Sequence, residues 1–336
     1  MNSPNSTLAP NATFVRPQFF YISGLSNLPN AKYYYIFLCF VYVVTILGNS
    51  FILFIIYMER SLHTPKYVAV CNLAIVDVCG STAIIPKFID TFLFDSQFIR
   101  YEACLANMYF VHFLSSLQSL ILVVLAYDRF VAICFPLRYH NIITNSSMVV
   151  ILAVMWAITA LMAITATLLF TRLSFCRSIV INSFFCDYGP AINLACNDNS
   201  PNFIVATFGT TIFFVAPVAV IALSYVCIIF ALLKIATLEG RLKAMQTCTS
   251  HLILVAIFYF PICATYISTL SSTIHPNARI INTSLACVIP PMLNPIIYSL
   301  KTEEIMSAVR KLYKKQSKFT WNRRITCILY AMTCRL

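Results

Sequence analysis

The chain has 336 residues, of which 60% are hydrophobic and only 10% are charged, and its formal net charge is +12. A soluble domain carries about 25% charged residues, so this composition excludes an ordinary water-soluble protein and favours one polytopic membrane domain. A basic protein can bind nucleic acid, but here the basic residues flank apolar spans. Membrane lipid headgroups and an acidic intracellular partner therefore fit the charge better than nucleic acid.

Residues 1–32 are mostly polar and contain two N-glycosylation sequons, at Asn5 and Asn11. Such acceptors are modified on the outer face of a secretory-pathway membrane. The segment has no basic start followed by a short apolar core, so we expect no cleaved signal peptide. We interpret residues 1–32 as an extracellular, glycosylated tail, with the first membrane helix acting as the insertion signal.

A membrane helix needs about 20 mostly apolar residues. Seven segments reach that length, and polar residues interrupt the second and third of them: Tyr33–Tyr57, Val68–Phe94, Ala103–Cys134, Met148–Phe170, Phe203–Ile235, Leu252–Leu270 and Ile280–Leu300. The pattern predicts an all-α membrane protein, a seven-transmembrane helix bundle over residues 33–300.

A charged segment, Lys301–Lys318, follows the seventh span. Its apolar residues recur at helical spacing between lysines and arginines: Ile305, Met306, Val309, Leu312 and Tyr313. This pattern predicts a short amphipathic eighth helix lying on the membrane. Residues 301–336 then form a cytoplasmic helix and basic tail, in which Cys327 and Cys334 are either palmitoylated or free thiols.

Orientation follows from the distribution of basic residues. Lysine and arginine concentrate on the side of the chain that carries the tail, at Arg60, Lys66, Arg138, Lys234, Arg241, Lys243 and the cluster after the seventh span. Cytoplasmic connections carry such an excess. We therefore expect a plasma-membrane protein with an extracellular N-terminus and a cytoplasmic C-terminus.

Catalysis finds no support in the sequence. There is no Gly-rich phosphate loop, no His-Glu-x-x-His motif and no Cys-x-x-Cys metal spacing, and the five histidines are scattered. We predict a non-enzyme without a cofactor. Only six glycines occur, and no pair of Gly-broken helices of the kind that transporters use.

Charged and polar side chains inside the predicted spans mark candidate working sites, because they are costly in lipid. Asp77 lies in the second span, and the Asp128-Arg129 pair closes the third. Asn294-Pro295 can bend the seventh span, since proline removes a backbone donor.

One face of the third span is also polar. His112, Ser115, Ser116 and Ser119 share this face, with Met108 one turn away. His112 either lines a pocket or is a packing histidine. The serines either contact a ligand or form hydrogen bonds between helices.

Four of the fourteen cysteines fall in the predicted outer regions: Cys104, Cys176, Cys186 and Cys196. Disulfides persist on the oxidising face of a membrane. Four cysteines allow three pairings, and the residues alone do not choose among them.

Seven motifs occur in order along the chain: Gly48-Asn49, Leu62-His-Thr-Pro-Lys-Tyr67, Cys71-Asn-Leu-Ala-Ile-Val-Asp77, the run from Asp128 to Tyr139, Ser224-Tyr225, Lys243-Ala-Met-Gln-Thr-Cys-Thr-Ser-His251 and Pro290-Pro-Met-Leu-Asn-Pro-Ile-Ile-Tyr298. Together they resemble odorant receptors, a family of rhodopsin-like G-protein-coupled receptors, from Pro17 to roughly Lys311. Some motifs look like those of fish odorant receptors.

The resemblance implies a ligand pocket, two disulfides and an activation switch. The pocket residues would be Met108, His112, Ser115, Ser116, Thr210, Phe213 and Tyr266. The disulfides would be Cys104–Cys186 and Cys176–Cys196. The switch residues would be Asp77, Asp128, Arg129, Tyr225, Asn294, Pro295 and Tyr298, with Arg129 and Lys243 facing the G protein.

Two positions depart from the family pattern. Gln118 stands where the family usually has Glu, which weakens a sodium site formed by Asp77 with Asn49 and Asn294 and leaves a neutral, hydrogen-bonded Asp77 as an equal alternative. Phe130 replaces the usual Tyr after Asp128-Arg129, so a hydroxyl is missing at the cytoplasmic edge.

The resemblance further implies a small odorant ligand and the stimulatory olfactory G protein. Two other functions stay open. One is a receptor for an endogenous small molecule outside the nose. The other is a channel or transporter, which would need more intramembrane charges than Lys87 and Asp90 near the outer end of the second span.

Overall fold

Seven helices of the described chain are long and apolar enough to cross a membrane, which confirms the predicted bundle. The computed structural model describes residues 14–25, 30–94, 96–234, 237–270, 275–301, 304–312 and 314. The seven helices are α1 (Ala31–Met58), α2 (Pro65–Phe94), α3 (Tyr101–Cys134), α4 (Asn145–Phe170), α5 (Ser200–Leu233), α6 (Leu238–Leu270) and α7 (Pro276–Lys301).

The sixth helix begins earlier than its hydropathy predicts, at Leu238 instead of Leu252. The added residues include Glu, Arg, Lys, Ala, Met and Gln, which are all good helix formers. Hydropathy marks only the part of a helix that lies in lipid, whereas residues with high helix propensity can be helical outside lipid as well. The helix therefore continues where the apolar span ends.

The polar interruptions of α3 are explained by its central position. In its most apolar window 67% of the residues are buried inside the protein, against 22% in α4. A helix surrounded by other helices can carry polar side chains that pair with protein groups. The polar residues of α3 therefore mark its contacts with protein and do not weaken it as a membrane span.

A small three-stranded sheet lies at the disulfide end of the bundle, and the sequence analysis did not predict it. Strands β1 (Phe19–Ile22), β2 (Phe98–Arg100) and β3 (Val180–Ile181) stand in the order β2-β1-β3. The first pair is antiparallel and the second is parallel. The strands are too short to give a readable alternation pattern in the sequence.

Two disulfides hold the chain around this sheet. Cys104 is joined to Cys186, with 5.4 Å between their Cα atoms, and Cys176 to Cys196, with 5.8 Å. These are the pairs that the family resemblance implies. We call the three strands and residues 173–196 the disulfide lid.

An aromatic cluster fills the space beneath the disulfide lid. Phe20 contacts the rings of Tyr101, Phe170 and Phe175, and Phe170 contacts Tyr188. All five side chains are buried. Because the cluster joins the strand β1 to α3 and α4, β1 is part of the folded receptor.

The first and seventh helices approach closely at Gly48. A Cβ atom at this position would lie 2.8 Å from Cγ of Pro295. Glycine therefore permits this contact between α1 and the proline of α7.

We expect Gly48→Ala to destabilise the receptor by about 1–3 kcal/mol, the usual cost of overpacking a filled core. The measurement is thermal inactivation of the purified protein, together with its cell-surface level. Gly189→Ala is the matched control, since a Cβ there meets no atom within 4 Å. Equal losses in the two variants would contradict the close-contact explanation.

A further helical segment, α8 (residues 304–312), follows α7 and is amphipathic. Ile305 and Ala308 are buried, while Arg310 is exposed. Met306, on the predicted apolar face, is 37% exposed at the protein surface, where a helix lying on a membrane presents apolar residues to lipid. Tyr313 and the residues from 315 onward, including Cys327 and Cys334, lie outside the described part of the chain.

Ion pairs attach α8 to the start of α2 and to the connection that precedes it. Lys66 Nζ lies 2.6 Å from Glu304, and Lys311 Nζ lies 3.6 Å from Glu59. Tyr67 also donates a hydrogen bond to Glu304. Burial acts to raise the pKa of Glu304, but the hydrogen bonds from Lys66 and Tyr67 outweigh it, so the net pKa is lowered. Glu304 is therefore a carboxylate that fixes α8 in place.

Candidate functional site

The polar face of α3 reaches the underside of the disulfide lid at His112. Its Nε2 accepts a hydrogen bond of 3.4 Å from the backbone N–H of Tyr188. The rings of Phe185 and Tyr188 each lie 6.1 Å from the imidazole. Met108, one turn away, is 1% exposed and packs with the aromatic cluster. This hydrogen bond therefore joins the disulfide lid to the polar face of α3.

An acidic side chain of the lid faces the same histidine. Burial raises the pKa of the Asp187 carboxyl, while the neighbouring His112 and Arg279 oppose that rise. Ser183 donates a 3.4 Å hydrogen bond to this carboxyl. The sequence analysis did not single out Asp187, because nothing in its local sequence distinguishes it from an exposed loop residue.

The fifth helix widens into a π-helical turn at Thr211–Val215. A π turn leaves a backbone carbonyl free of its usual helical partner and is often found at functional sites. Here the carbonyl of Phe213 accepts a 2.5 Å hydrogen bond from Ser119 Oγ. Phe213 is buried, and Thr210 lies just before the turn.

Ser119 also links α3 to α6. Its Oγ lies 2.6 Å from the hydroxyl of Tyr259. Because the single hydroxyl hydrogen of Ser119 goes to Phe213, Tyr259 must donate this second bond. Ser119 thus makes the bonds between helices that the sequence analysis left as an alternative, and Tyr259 is a partner that it missed.

The other serines of the face lie nearby. Ser116 is 9% exposed, and Ser115 is half-buried. Tyr266 lies within α6, but its side chain is outside the described part of the structure. Asn5 and Asn11 are also outside it.

Asp77 is held by two side-chain amides in the middle of the bundle. Gln118 Nε2 and Asn294 Nδ2 each donate a 2.7 Å hydrogen bond, one to each carboxylate oxygen. Asn49, which was expected in this network, instead donates to the carbonyls of Thr45 and Pro291. The amide of Gln118 therefore replaces the carboxylate that a sodium site in this family would use.

The Asp128-Arg129 pair lies at the other end of the bundle, at the end of α3. Asp128 is 1% exposed, and its Oδ2 lies 3.8 Å from the Arg129 guanidinium. Its Oδ1 accepts a 2.7 Å hydrogen bond from the hydroxyl of Tyr139. Burial first, and then this bond to Asp128, raises the pKa of Tyr139. A tyrosine after α3 thus pairs with Asp128, while Phe130 stands where the family usually has its own tyrosine.

A buried histidine joins three helices just above this pair. His251 of α6 lies with Nδ1 2.8 Å from the hydroxyl of Tyr225 in α5 and with Nε2 3.1 Å from the carbonyl of Leu122 in α3. The Tyr225 hydroxyl also donates a 3.3 Å bond to the carbonyl of Cys248. The sequence analysis noted Tyr225 but assigned no role to His251.

The remaining switch residues belong to the same inner core. Tyr298 is 8% exposed and packs in the hydrophobic cluster that contains Tyr67 and Tyr225. Pro295 contacts α1 at Gly48. Lys243 lies in the extension of α6 before the apolar span, and its side chain is outside the described residues.

Seven membrane helices with a buried Asp-Arg pair at one end and a disulfide-tied lid at the other define a rhodopsin-like receptor fold. The crystal structure of squid rhodopsin superposes with a TM-score of 0.68, covering 85% of this chain and 87% of that chain at 17% sequence identity. At this identity the likeness concerns the fold alone.

The family model described as olfactory receptor matches residues 38–316. The chain therefore belongs to the olfactory receptor family, and it is a G-protein-coupled odorant receptor and not an enzyme. The resemblance of the seven motifs is thereby confirmed.

Several curated relatives are similar over almost their whole length. Olfactory receptor 1E16 of Mus musculus is 37% identical over 88% of this chain and 95% of its own. Olfactory receptor 51F2 of Homo sapiens is 38% identical over 92% of this chain and 91% of its own. Olfactory receptor 51E2 of Homo sapiens is 36% identical over 94% of this chain and 96% of its own.

Proposed function

We propose that a small, partly polar odorant binds between α3, α5 and α6, beneath the disulfide lid. The hydrogen bond between His112 and the backbone of Tyr188 is the observation that carries this proposal. It joins the polar face of α3 to the lid, so a molecule bound at His112 acts on both. The pocket residues are Met108, His112, Ser115 and Ser116 of α3, Thr210 and Phe213 of α5 and Tyr266 of α6.

The chemistry of this set favours a neutral ligand with hydrogen-bonding groups. His112 and the two serines offer donors and acceptors, and Met108 and Phe213 offer adaptable and aromatic apolar contact. None of these seven residues is a lysine or arginine. A carboxylate odorant would therefore find no permanent cation among them.

At the tail end we propose a switch that opens to a stimulatory olfactory G protein. Arg129 leaves Asp128, and the inner end of α6 moves outward with Lys243, so that both basic side chains face the partner. Pro295 and Tyr298 of α7, with Asp77 and Asn294 beside them, repack in the same transition. The ligand drives it only through its higher affinity for the open state.

Two discrete observations support an extracellular N-terminus and a plasma-membrane location. Basic residues accumulate at the end that bears Arg129 and α8, and the sequons at Asn5 and Asn11 lie at the opposite end of the chain. We propose a glycosylated tail at 1–32, a receptor domain at 33–300 and a cytoplasmic helix and basic tail at 301–336. The basic side chains of the tail then contact anionic membrane lipids.

The test is a cyclic AMP dose-response to a panel of small odorants in cells that co-express the stimulatory olfactory G protein. We expect His112→Phe to raise the half-maximal odorant concentration by about tenfold, the equivalent of one lost hydrogen bond. His275→Phe, an exposed histidine at the same end, should leave it unchanged. An unchanged response in His112→Phe would contradict the proposed pocket, and a response through an inhibitory G protein alone would contradict the proposed partner.

A further inference from the structure

A cavity of about 560 Å³ opens at the disulfide end between α2 and α3. Four of its lining residues, Ala103, Ala106, Asn107 and Phe110, recur at helical spacing on one side of α3. His112 and Ser115 lie on the opposite side of the same helix, since each residue turns the helix by about 100°. The cavity is therefore separate from the proposed odorant pocket.

The lining changes character along the helix. Arg100 stands at the start of α3, Ala103 and Ala106 follow, and Phe110 lies at the far end, about 15 Å along the axis. The two alanines and Phe110 are exposed on the surface of the protein. The small side chains of the alanines leave the space open, and Phe110 borders its far end. The described lining is thus charged near Arg100 and apolar toward Phe110.

The described residues at the mouth comprise two basic side chains, Lys87 and Arg100, and one carboxylate, Asp90. Lys87 Nζ is bonded to Asp90, at 2.7 Å, and to the carbonyl of Ser96, at 3.0 Å. Within the described part of the chain, no carboxylate lies within ion-pair distance of Arg100. Glu102, in the first turn of α3, is not among the described residues that line the cavity. Among the described residues that line the cavity, Arg100 is therefore a cation available to an anion.

We propose that this cavity binds a single-chain anionic amphiphile, such as a medium-chain carboxylate. The guanidinium fork of Arg100 matches a carboxylate in two parallel hydrogen bonds. The chain would lie along Ala103 and Ala106 and end at Phe110. The volume is that of a small-molecule site, and it suits one such chain better than the two long chains of a phospholipid. In this pose the carboxylate faces water and the chain faces the membrane interior, which is also how an amphiphile lies in a membrane.

One wall residue connects this cavity to the disulfide lid. Asn107 Nδ2 donates a 2.7 Å hydrogen bond to the carbonyl of Ala83 in α2. Its Oδ1 accepts a 3.0 Å bond from the backbone N–H of Cys186, a disulfide cysteine of the lid. An amphiphile in the cavity therefore stabilises the joint between α2, α3 and the lid, and raises the thermal stability of the folded receptor.

The experiment uses full-length receptor in nanodiscs of neutral phosphatidylcholine, with a diazirine derivative of dodecanoic acid as the probe. We expect saturable photolabelling that maps to residues 83–110, with competition by dodecanoic acid but not by the neutral dodecanol. Competition by dodecanol at the same concentration, or labelling elsewhere in the bundle, would overturn the proposal. Displacement of the probe by phosphatidylserine as effectively as by dodecanoic acid would overturn the single-chain ligand.

Three variants test separately the charge of Arg100 and the space beside Ala106. Arg100→Gln should weaken labelling about tenfold through the lost charge-assisted bonds, and Ala106→Leu should weaken it by occupying the path of the chain while keeping Arg100. The exposed Arg172, at the same end but outside the cavity, gives the control Arg172→Gln, which should label like wild type. Undiminished labelling in either Arg100→Gln or Ala106→Leu would overturn the site. His112→Phe should label normally, so failure here is distinguishable from failure of the odorant pocket.

Discussion

Replacing Cys104 with serine is expected to remove most of the receptor from the cell surface. The bond from Cys104 to Cys186 closes a loop of 82 residues and fixes the disulfide lid to α3. On the chain-entropy relation, a loop of this length corresponds to about 4.5 kcal/mol of stability. Whole proteins are stable by only about 5–15 kcal/mol, and a loss of about 1–2 kcal/mol already changes cellular abundance severalfold. Flow cytometry of tagged receptor measures the effect.

Two other cysteine variants serve as comparisons for Cys104→Ser. Cys176→Ser opens a shorter loop, of 20 residues, and should lower the surface level less than Cys104→Ser does. Cys79→Ser changes an exposed free thiol of α2 and should leave the surface level near that of wild type. A surface level of Cys104→Ser equal to that of Cys79→Ser would contradict the structural importance of the bridge.

Replacing His251 with phenylalanine is expected to raise signalling in the absence of odorant. The change keeps a ring but removes the bonds that tie α6 to Tyr225 and to the carbonyl of Leu122. Leaving buried polar groups unpaired costs about 1–3 kcal/mol. A loss of about 2 kcal/mol from the resting conformation changes the ratio of the two states about thirtyfold. Basal cyclic AMP, normalised to surface level, is the readout.

The matched control is His140→Phe, an exposed histidine in the short helix Tyr139–Ile142 after α3. It should leave basal cyclic AMP unchanged. Basal signalling in His251→Phe no higher than in this control, at equal surface level, would show that His251 does not hold α6 in the resting state.

The sequence predicts the helices well because lipid imposes a simple rule on length and polarity. It fails where that rule does not apply. The fourteen residues that α6 adds before its apolar span are too polar to stand out in hydropathy, although Cys248 and His251 among them are buried against other helices. The three short strands depend on the pairing of Phe20 with Ile99 and of Ile22 with Ile181, residues far apart in the chain. No local pattern announces such pairing.

The candidate site divides in the same way. Residues that are costly in a membrane, such as Asp77, Asp128 and Arg129, stand out in the sequence without any structure. Their partners do not. No local pattern pairs His251 with Tyr225 or Tyr259 with Ser119, and only the fold brings them together. Which hydrogen bonds form depends on how the helices are rotated against each other, and one sequence does not report that.

The most direct test of the account is the odorant-stimulated cyclic AMP response of Arg129→Gln, in cells that co-express the stimulatory olfactory G protein. Arg172→Gln removes an equal charge at the opposite end of the bundle and serves as the control. With surface levels matched, we expect wild type and Arg172→Gln to respond to the same odorant and Arg129→Gln to be silent. A full response from Arg129→Gln would contradict the claim that this arginine carries the signal to the G protein.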